Sequence, residues 1–195
     1  MRPLTAFLLA TLLASSAFAK AKITIVNADA AGQGFNDPTP AAPIGGNPGT
    51  TLGEQRLNAF RFAADTWGNL LNSNVEIVVS ATFAPINRGT DSCNILGQAG
   101  PADFVLNFDN APKQDVWYPV ALANAIAGKD LRPNSPDINA QFNSLIDTDQ
   151  CTNGKWYYGL DNNPPAGSIE TSASSSARWA WASMRPSVAT TSPGS

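Results

Sequence analysis

The sequence predicts an α+β fold: a small mixed sheet with one long amphipathic helix and two shorter helices, a long Gly/Pro-rich N-terminal loop and a disordered C-terminal tail. Three observations predict it. Val75, Ile77, Val79, Ala81 and Phe83 alternate with Glu76, Ser80 and Thr82, the period of a strand with one buried face. Leu57, Phe60, Ala64, Trp67 and Leu71 recur at helical spacing and place one apolar stripe on a single face. Ile23 to Asn27 is an alternating, β-branched run that reads as a first strand.

The elements follow in chain order. Met1 and Arg2 precede the apolar run Leu4 to Leu13 and the small-residue stretch Ala14 to Ala19. This predicts a secretory signal peptide over residues 1–19, cut between Ala19 and Lys20, because the apolar run is too short to span a bilayer. From Ala28 to Thr50 the breakers Gly32, Gly34, Pro38, Pro40, Pro43, Gly45, Gly46, Pro48 and Gly49 exclude a regular element, leaving a long loop that is either ordered or flexible. Thr51 and Glu54 have the spacing of a capping box, which starts the long helix of about 20 residues; Asn72-Ser73-Asn74 stops it. Pro85 ends the strand that follows.

Phe104 to Phe108 is a further strand candidate, with Phe104, Leu106 and Phe108 expected on one face. A short helix is predicted from Val120 to Ala127, entered by Pro119 and closed by Gly128. Ser135-Pro136-Asp137 reads as another helix start, with Ile138, Phe142, Leu145 and Ile146 as its buried stripe. Trp156-Tyr157-Tyr158 reads as a short strand. One α+β region is therefore expected over residues 20–163, and the Ser/Ala/Thr/Pro-rich residues 164–195 as a low-complexity tail.

Charge and cysteine usage narrow the function classes. The chain carries 12 Lys and Arg against 15 Asp and Glu, and losing the leader removes Arg2, for a net charge of about −4. A mildly acidic surface without a basic cluster excludes nucleic acid as the expected partner, and no membrane attachment is expected after cleavage. Cys93 and Cys151 are the only cysteines, and an even count in an exported chain predicts one disulfide. The expected location is therefore secreted or periplasmic.

Several stretches resemble the N-terminal part of a bacterial family. They include Asn27-Ala28-Asp29, Gly34-Phe35-Asn36-Asp37-Pro38, Gly45-Gly46-Asn47-Pro48-Gly49-Thr50-Thr51-Leu52-Gly53 and Gln55-Arg56-Leu57-Asn58-Ala59-Phe60. Further matches are Ala63-Ala64-Asp65-Thr66-Trp67, Ala121-Leu122-Ala123-Asn124, Ser135-Pro136-Asp137-Ile138 and Trp156-Tyr157-Tyr158-Gly159-Leu160-Asp161-Asn162-Asn163. The family comprises exported, metzincin-like zinc metallopeptidases carrying a protease-associated domain, and the resemblance covers about residues 23 to 163. It implies a following helix with His-Glu-x-x-His, whose two histidines hold zinc while the glutamate activates water. This chain contains no histidine at all. No zinc ligand and no catalytic glutamate carry over to any residue, so neither proteolysis nor a bound cofactor is expected, zinc belonging to the full-length family only. The Ser run at 174–176 and Trp179-Ala180-Trp181 stand where that helix and its Gly-Leu-Gly turn would lie. The tail is expected to be an out-of-frame reading of that segment, which would make the chain a truncated relative, or else an unrelated linker.

Other chemistry has weaker support. Asn27, Asp29 and Gly32 have the opening spacing of a calcium loop, yet position 12 is Pro38 where a glutamate is needed. Glu54, Glu76, Asp103, Asp109 and Asp115 are the acids from which a glycosidase pair would be drawn. Trp156, Tyr157 and Tyr158 form either a core strand or an aromatic binding face for sugar or peptide. The second expectation is accordingly a stand-alone exported binding or cell-surface module, with a protein or peptide partner.

Overall fold

A computed structural model describes residues 20–152 and 154–170, with the backbone alone at Glu170. The expected signal peptide, with Ala19 of its expected cleavage site, lies outside the described residues, as do residues 171–195, where the disordered tail is expected. Lys20, the expected first residue of the mature chain, is exposed and bridges to Asn72.

The elements are β1 (Ile23–Asn27), α1 (Leu52–Gly68), β2 (Ile77–Ala84), β3 (Gly97–Pro101), β4 (Phe104–Val105), β5 (Tyr118–Pro119), α2 (Val120–Ala127), β6 (Ile138–Asn143), β7 (Lys155–Tyr157) and β8 (Ser168–Glu170). Short 3-10 turns lie at Gly34–Asn36, Gly89–Asn94 and Ser144–Asp147. The main sheet has the order β1-β2-β6-β3, with β1, β2 and β6 parallel and β3 antiparallel at one edge. β4 and β5 form an antiparallel ribbon, and β7 and β8 a parallel pair. The fold is thus mixed α+β, as the sequence predicts.

Helix α1 begins on the predicted capping box: the Thr51 hydroxyl accepts from the Glu54 amide at 3.2 Å, and the Glu54 carboxylate accepts from the Thr51 amide at 3.2 Å. It runs 17 residues, shorter than expected, and ends with Asn69 as its C-cap, just after Gly68 meets the backbone of Ala21. A Cβ there would stand 2.5 Å from the Ala21 carbonyl oxygen. Leu71 therefore reaches the core from the turn after the helix, where its carbonyl accepts from the Ala21 amide at 3.0 Å. Trp67 lies at the half-exposed margin. The fully buried face of α1 comprises Gly53, Gln55, Arg56, Ala59, Ala63, Ala64 and Gly68, so two of its seven members are large polar residues that apolar periodicity does not find.

In β2 the alternation is complete: Ile77, Val79, Ala81 and Phe83 face the core while Val78, Ser80, Thr82 and Ala84 are half-exposed. Across that inner face Phe83 packs against Phe35, Phe142, Trp156 and Tyr158, with ring centroids 6.0–6.5 Å apart. A buried aromatic of this kind contributes roughly 1.5–3 kcal/mol through removal of its surface from water.

Two predicted elements are corrected. Residues 138–146 form strand β6 and a 3-10 turn in place of a helix. Ile138, Ala140 and Phe142 point inward with period two, and the strand pairs on both sides, with β2 and β3, which satisfies more backbone groups than an isolated short helix could. At 104–108 only Phe104 and Val105 are extended, and Phe104 and Phe108 do not share the one face expected of them. Val105 packs against Val120 and Ala123 while Phe104 is 44% exposed, and the left-handed backbone at Asn107, φ 53°, then breaks the alternation, so that Phe108 is buried with Val105. Strands β3 and β5 carry no apolar period, and the sequence does not announce them. The folded region also extends past residue 163, since β8 pairs Ser168 with Lys155 and Ile169 with Trp156.

The two cysteines form the predicted disulfide, Cys93–Cys151, tying the 3-10 turn before β3 to the chain after Asp147 across 58 residues. No described helix is long and apolar enough to cross a membrane.

Candidate functional site

The Gly/Pro-rich loop and the expected aromatic face meet at one place, the N-terminal half of α1. Trp156, Tyr157 and Tyr158 are 6%, 6% and 5% exposed, so this triplet is interior and presents no open platform to sugar or peptide. The Trp156 indole donates to the Asn143 carbonyl at 2.9 Å, and the Tyr157 hydroxyl donates to Asp161 at 2.9 Å.

Arg56 lies at the centre of this junction. Its Nη1 donates to the Gly34 carbonyl and to Asp37, both at 3.0 Å; Nη2 donates to Asp147 at 3.0 Å; and Nε donates to the Tyr158 hydroxyl at 3.1 Å. Tyr158 in turn donates to the same Asp147 oxygen. The guanidinium carbon stands 4.5 Å from the Phe83 ring centroid, over its π face. Burial works against the charge on Arg56, but Tyr158 and Asp147 outweigh it and hold the group protonated. Burial, reinforced by the charge of Asp147, pushes the Tyr158 phenol well above its ordinary value, so it stays a neutral donor. For Asp37 the small burial cost is exceeded by hydrogen bonds from Thr39 and by Arg56, which leave its carboxyl below the usual range.

Around this ion cluster, amides fix the loop. Asn47, fully buried, donates to the carbonyls of Gln55 at 2.9 Å and Tyr158 at 2.7 Å, and accepts from Gly49 and Asn58. Gln55 donates to the carbonyls of Ala42 and Gly49. The expected long loop is therefore ordered, and two glycines show why the residue type is required. Gly34 has φ 54°, and a Cβ on it would fall 2.0 Å from Asp29 Oδ2; Gly45 has φ 52°, and a Cβ would fall 2.2 Å from the Tyr157 hydroxyl.

The other candidates also fill local structural roles. Asp29, the third position of the calcium-loop spacing, accepts from the amides of Phe35 at 2.8 Å and Phe83 at 3.0 Å, joining the loop to β2. Glu54 caps α1, Glu76 bonds Thr24 and Lys22, Asp103 pairs with Arg132, Asp109 with Lys129, and Asp115 with Asn107. Buried Asp137 accepts from Val78 at 2.7 Å and Asn124 at 2.8 Å, and burial with the nearby Asp130 charge raises its pKa. Among the described residues no buried side-chain nitrogen or oxygen lacks a partner. The zinc implied by the resemblance does not fit these donors: there is no imidazole, both thiols are in the disulfide, and the interior carboxylates already accept from amides or Arg56.

Among the described residues one aromatic surface remains, and sequence reasoning missed it. Val105 and Tyr118 face a small second core with Phe108, Val120 and Ala123, which leaves the opposite side of the β4–β5 ribbon to Phe104, 44% exposed, and Trp117, 61% exposed. The signal available was Trp117 beside a cluster of Asn and Asp residues.

Comparison of the chain with family models, with curated proteins and with solved structures gives no match. The peptidase resemblance rests on the quoted residues alone.

Proposed function

We propose that this chain is an exported, disulfide-closed scaffold of the zinc-peptidase N-terminal type that hydrolyses no peptide bond by itself. The observation that carries this reading is the engagement of the interior ionisable groups. Arg56, Asp29, Asp137, Asp147 and Tyr158 hold one another or backbone groups, and the sequence supplies no imidazole to act as ligand or base. Export is supported by the leader-like N-terminus and by the disulfide, a bond that persists in oxidising compartments. The test is metal analysis of purified chain together with a casein or gelatin assay with and without chelator. The reading expects no stoichiometric zinc and no chelator-sensitive cleavage; turnover that co-purifies with one zinc per chain would overturn it.

A further inference from the structure

We infer that Asp137 and Asp130 form a proton-operated latch between the lobe carrying α2 and the main sheet, which closes as the pH falls and loosens as it rises. The inference stands apart from the peptidase reading and uses neither its resemblance nor its chemistry.

Asp137 stands where four parts of the chain meet. Its amide donates to the Val78 carbonyl at 2.8 Å and the Val78 amide donates back to Oδ2 at 2.7 Å, so it clasps the start of β2. Its carbonyl accepts from the Ala102 amide at 2.9 Å, at the corner between β3 and β4. Oδ1 accepts from the side-chain amide of Asn124 on α2 at 2.8 Å, and the buried Asn124 accepts in turn from the Leu131 amide at 2.8 Å. Asp137 and Asn124 thus form a buried polar joint between the sheet and the second core of Val105, Phe108, Val120 and Ala123.

This joint holds a carboxyl group without a cation. Among the described residues Asp137, 5% exposed, is the only fully buried acid, and no Lys or Arg pairs with it, whereas Asp37 and Asp147 share Arg56. What faces it is a second acid: the same Asn124 nitrogen lies 3.4 Å from Asp130 Oδ1, so the two carboxylates stand no farther apart than those two bonds laid end to end. The strands β2, β3 and β6 and helix α2 carry no charged residue, and the charges at their margins are matched, Arg132 with Asp103, Lys129 with Asp109 and Lys22 with Glu76. A carboxyl group buried beside another and away from any cation favours its neutral form. Burial first, then the Asp130 charge, accordingly raise the Asp137 pKa by more than the bonds from Val78 and Asn124 lower it.

The sign of the effect follows from that direction. A group whose folded pKa lies above its unfolded value contributes stability that is fully present below the unfolded value, about pH 4 for an aspartate, and is lost as pH rises through the folded value. The neutral acid still accepts from Val78 and Asn124 and does not repel Asp130. Ionised, it repels the Asp130 carboxylate, and the two sides differ in what can give way. Asp137 precedes β6, which is paired on both sides, while Asp130 sits on the turn 128–136, where Gly128, Lys129, Asp130 and residues 132–135 are exposed and no strand pairs. The turn therefore moves off α2, breaking the Leu131–Asn124 bond and baring the edge of the second core that Leu131 covers, and the sheet stays as it is.

The test is an NMR titration of the full chain from about pH 4 to about pH 7, the range above the ordinary aspartate value. It follows the Asp137 carboxyl carbon together with amide exchange corrected for the intrinsic effect of pH. The Asp137 carbon titrates above the ordinary aspartate value, and across that step the Leu131 amide loses at least tenfold in protection while Val79 in β2 loses none. Asp130→Asn keeps the oxygen that accepts from the Arg132 amide and removes only the repelling charge. It moves the Asp137 step to lower pH and cuts the loss at Leu131 to less than threefold. Asp137→Asn, neutral throughout, abolishes the pH dependence at Leu131 whatever it costs in stability; should that variant fail to fold, Asp130→Asn carries the decision alone. An Asp137 carbon that titrates at or below the ordinary value overturns the proposal. So does a loss at Leu131 that Asp130→Asn leaves unchanged, or one that Val79 shares.

Discussion

The junction around Arg56 and the ribbon around Trp117 both draw on loops rich in Asn, Asp and aromatics, yet they use them in opposite ways. At the junction, carboxylates, amides and rings turn inward and saturate one another, so the Gly/Pro-rich loop, α1 and the chain after Asp147 become one body. At the ribbon, the polar groups bond to each other locally and leave two aromatic faces in water. The contrast teaches that polar density in a loop does not decide which way its aromatics point. It also separates residues whose loss should unfold the chain from residues whose loss should leave the fold intact.

The largest effect is expected at the junction. Arg56→Met removes the common partner of Asp37, Asp147 and Tyr158 and should lower unfolding free energy by about 3–5 kcal/mol, because it leaves partly buried charges uncompensated. Urea denaturation followed by tryptophan fluorescence reads this directly. Replacing both Cys93 and Cys151 with serine should cost about 4 kcal/mol on the same curve, the unfolded-state entropy that a closure of this length removes. Asn124→Ala comes next: it strips one donor from Asp137 and the acceptor of the Leu131 amide, for about 1–3 kcal/mol.

A smaller, pH-dependent effect follows from Asp37, whose folded pKa is depressed. Its contribution is present above the unfolded carboxylate pKa and is lost as pH falls through the lower folded value. Stability should therefore decline below about pH 4, and Asp37→Asn should flatten that limb of the stability curve while lowering its plateau. A steeper acid limb in the variant would contradict the assignment. The smallest effect belongs to the ribbon: Trp117→Ala should move stability by no more than about 0.5 kcal/mol, as for other exposed positions. A loss above about 2 kcal/mol, the size of a core truncation, would place Trp117 in the junction's class.

Much of the fold is legible in the residues. β1, the start of α1, the inward face of β2, α2 with Gly128 at its C-cap and the disulfide follow from period, capping chemistry and cysteine count. β6 is not, because Ile138, Phe142, Leu145 and Ile146 fit a helical stripe equally well, and only pairing with β2 and β3 makes Ala140 the third inward member. β3 is invisible for a related reason: Gly-Gln-Ala-Gly-Pro has no apolar face of its own and is extended by its neighbour's ladder. The candidate sites were misplaced by the same limit. Trp156-Tyr157-Tyr158 is the most aromatic triplet in the chain, but whether it faces solvent depends on Arg56 and Asn47, more than 100 residues earlier. Trp117 belongs to no apolar period in the sequence, and only the inward turn of Tyr118 shows that it points away.

The account's central claim is that the interior polar network welds the breaker-rich loop to the sheet. Native-state amide exchange of the intact chain tests it most directly. The amides of Phe35, Gly49 and Leu160, bonded to Asp29, Asn47 and Gly45, should exchange at the same free energy as those of Val79 and Ala81 in β2. Exchange of these loop amides by local opening, orders of magnitude faster than β2, would contradict the account.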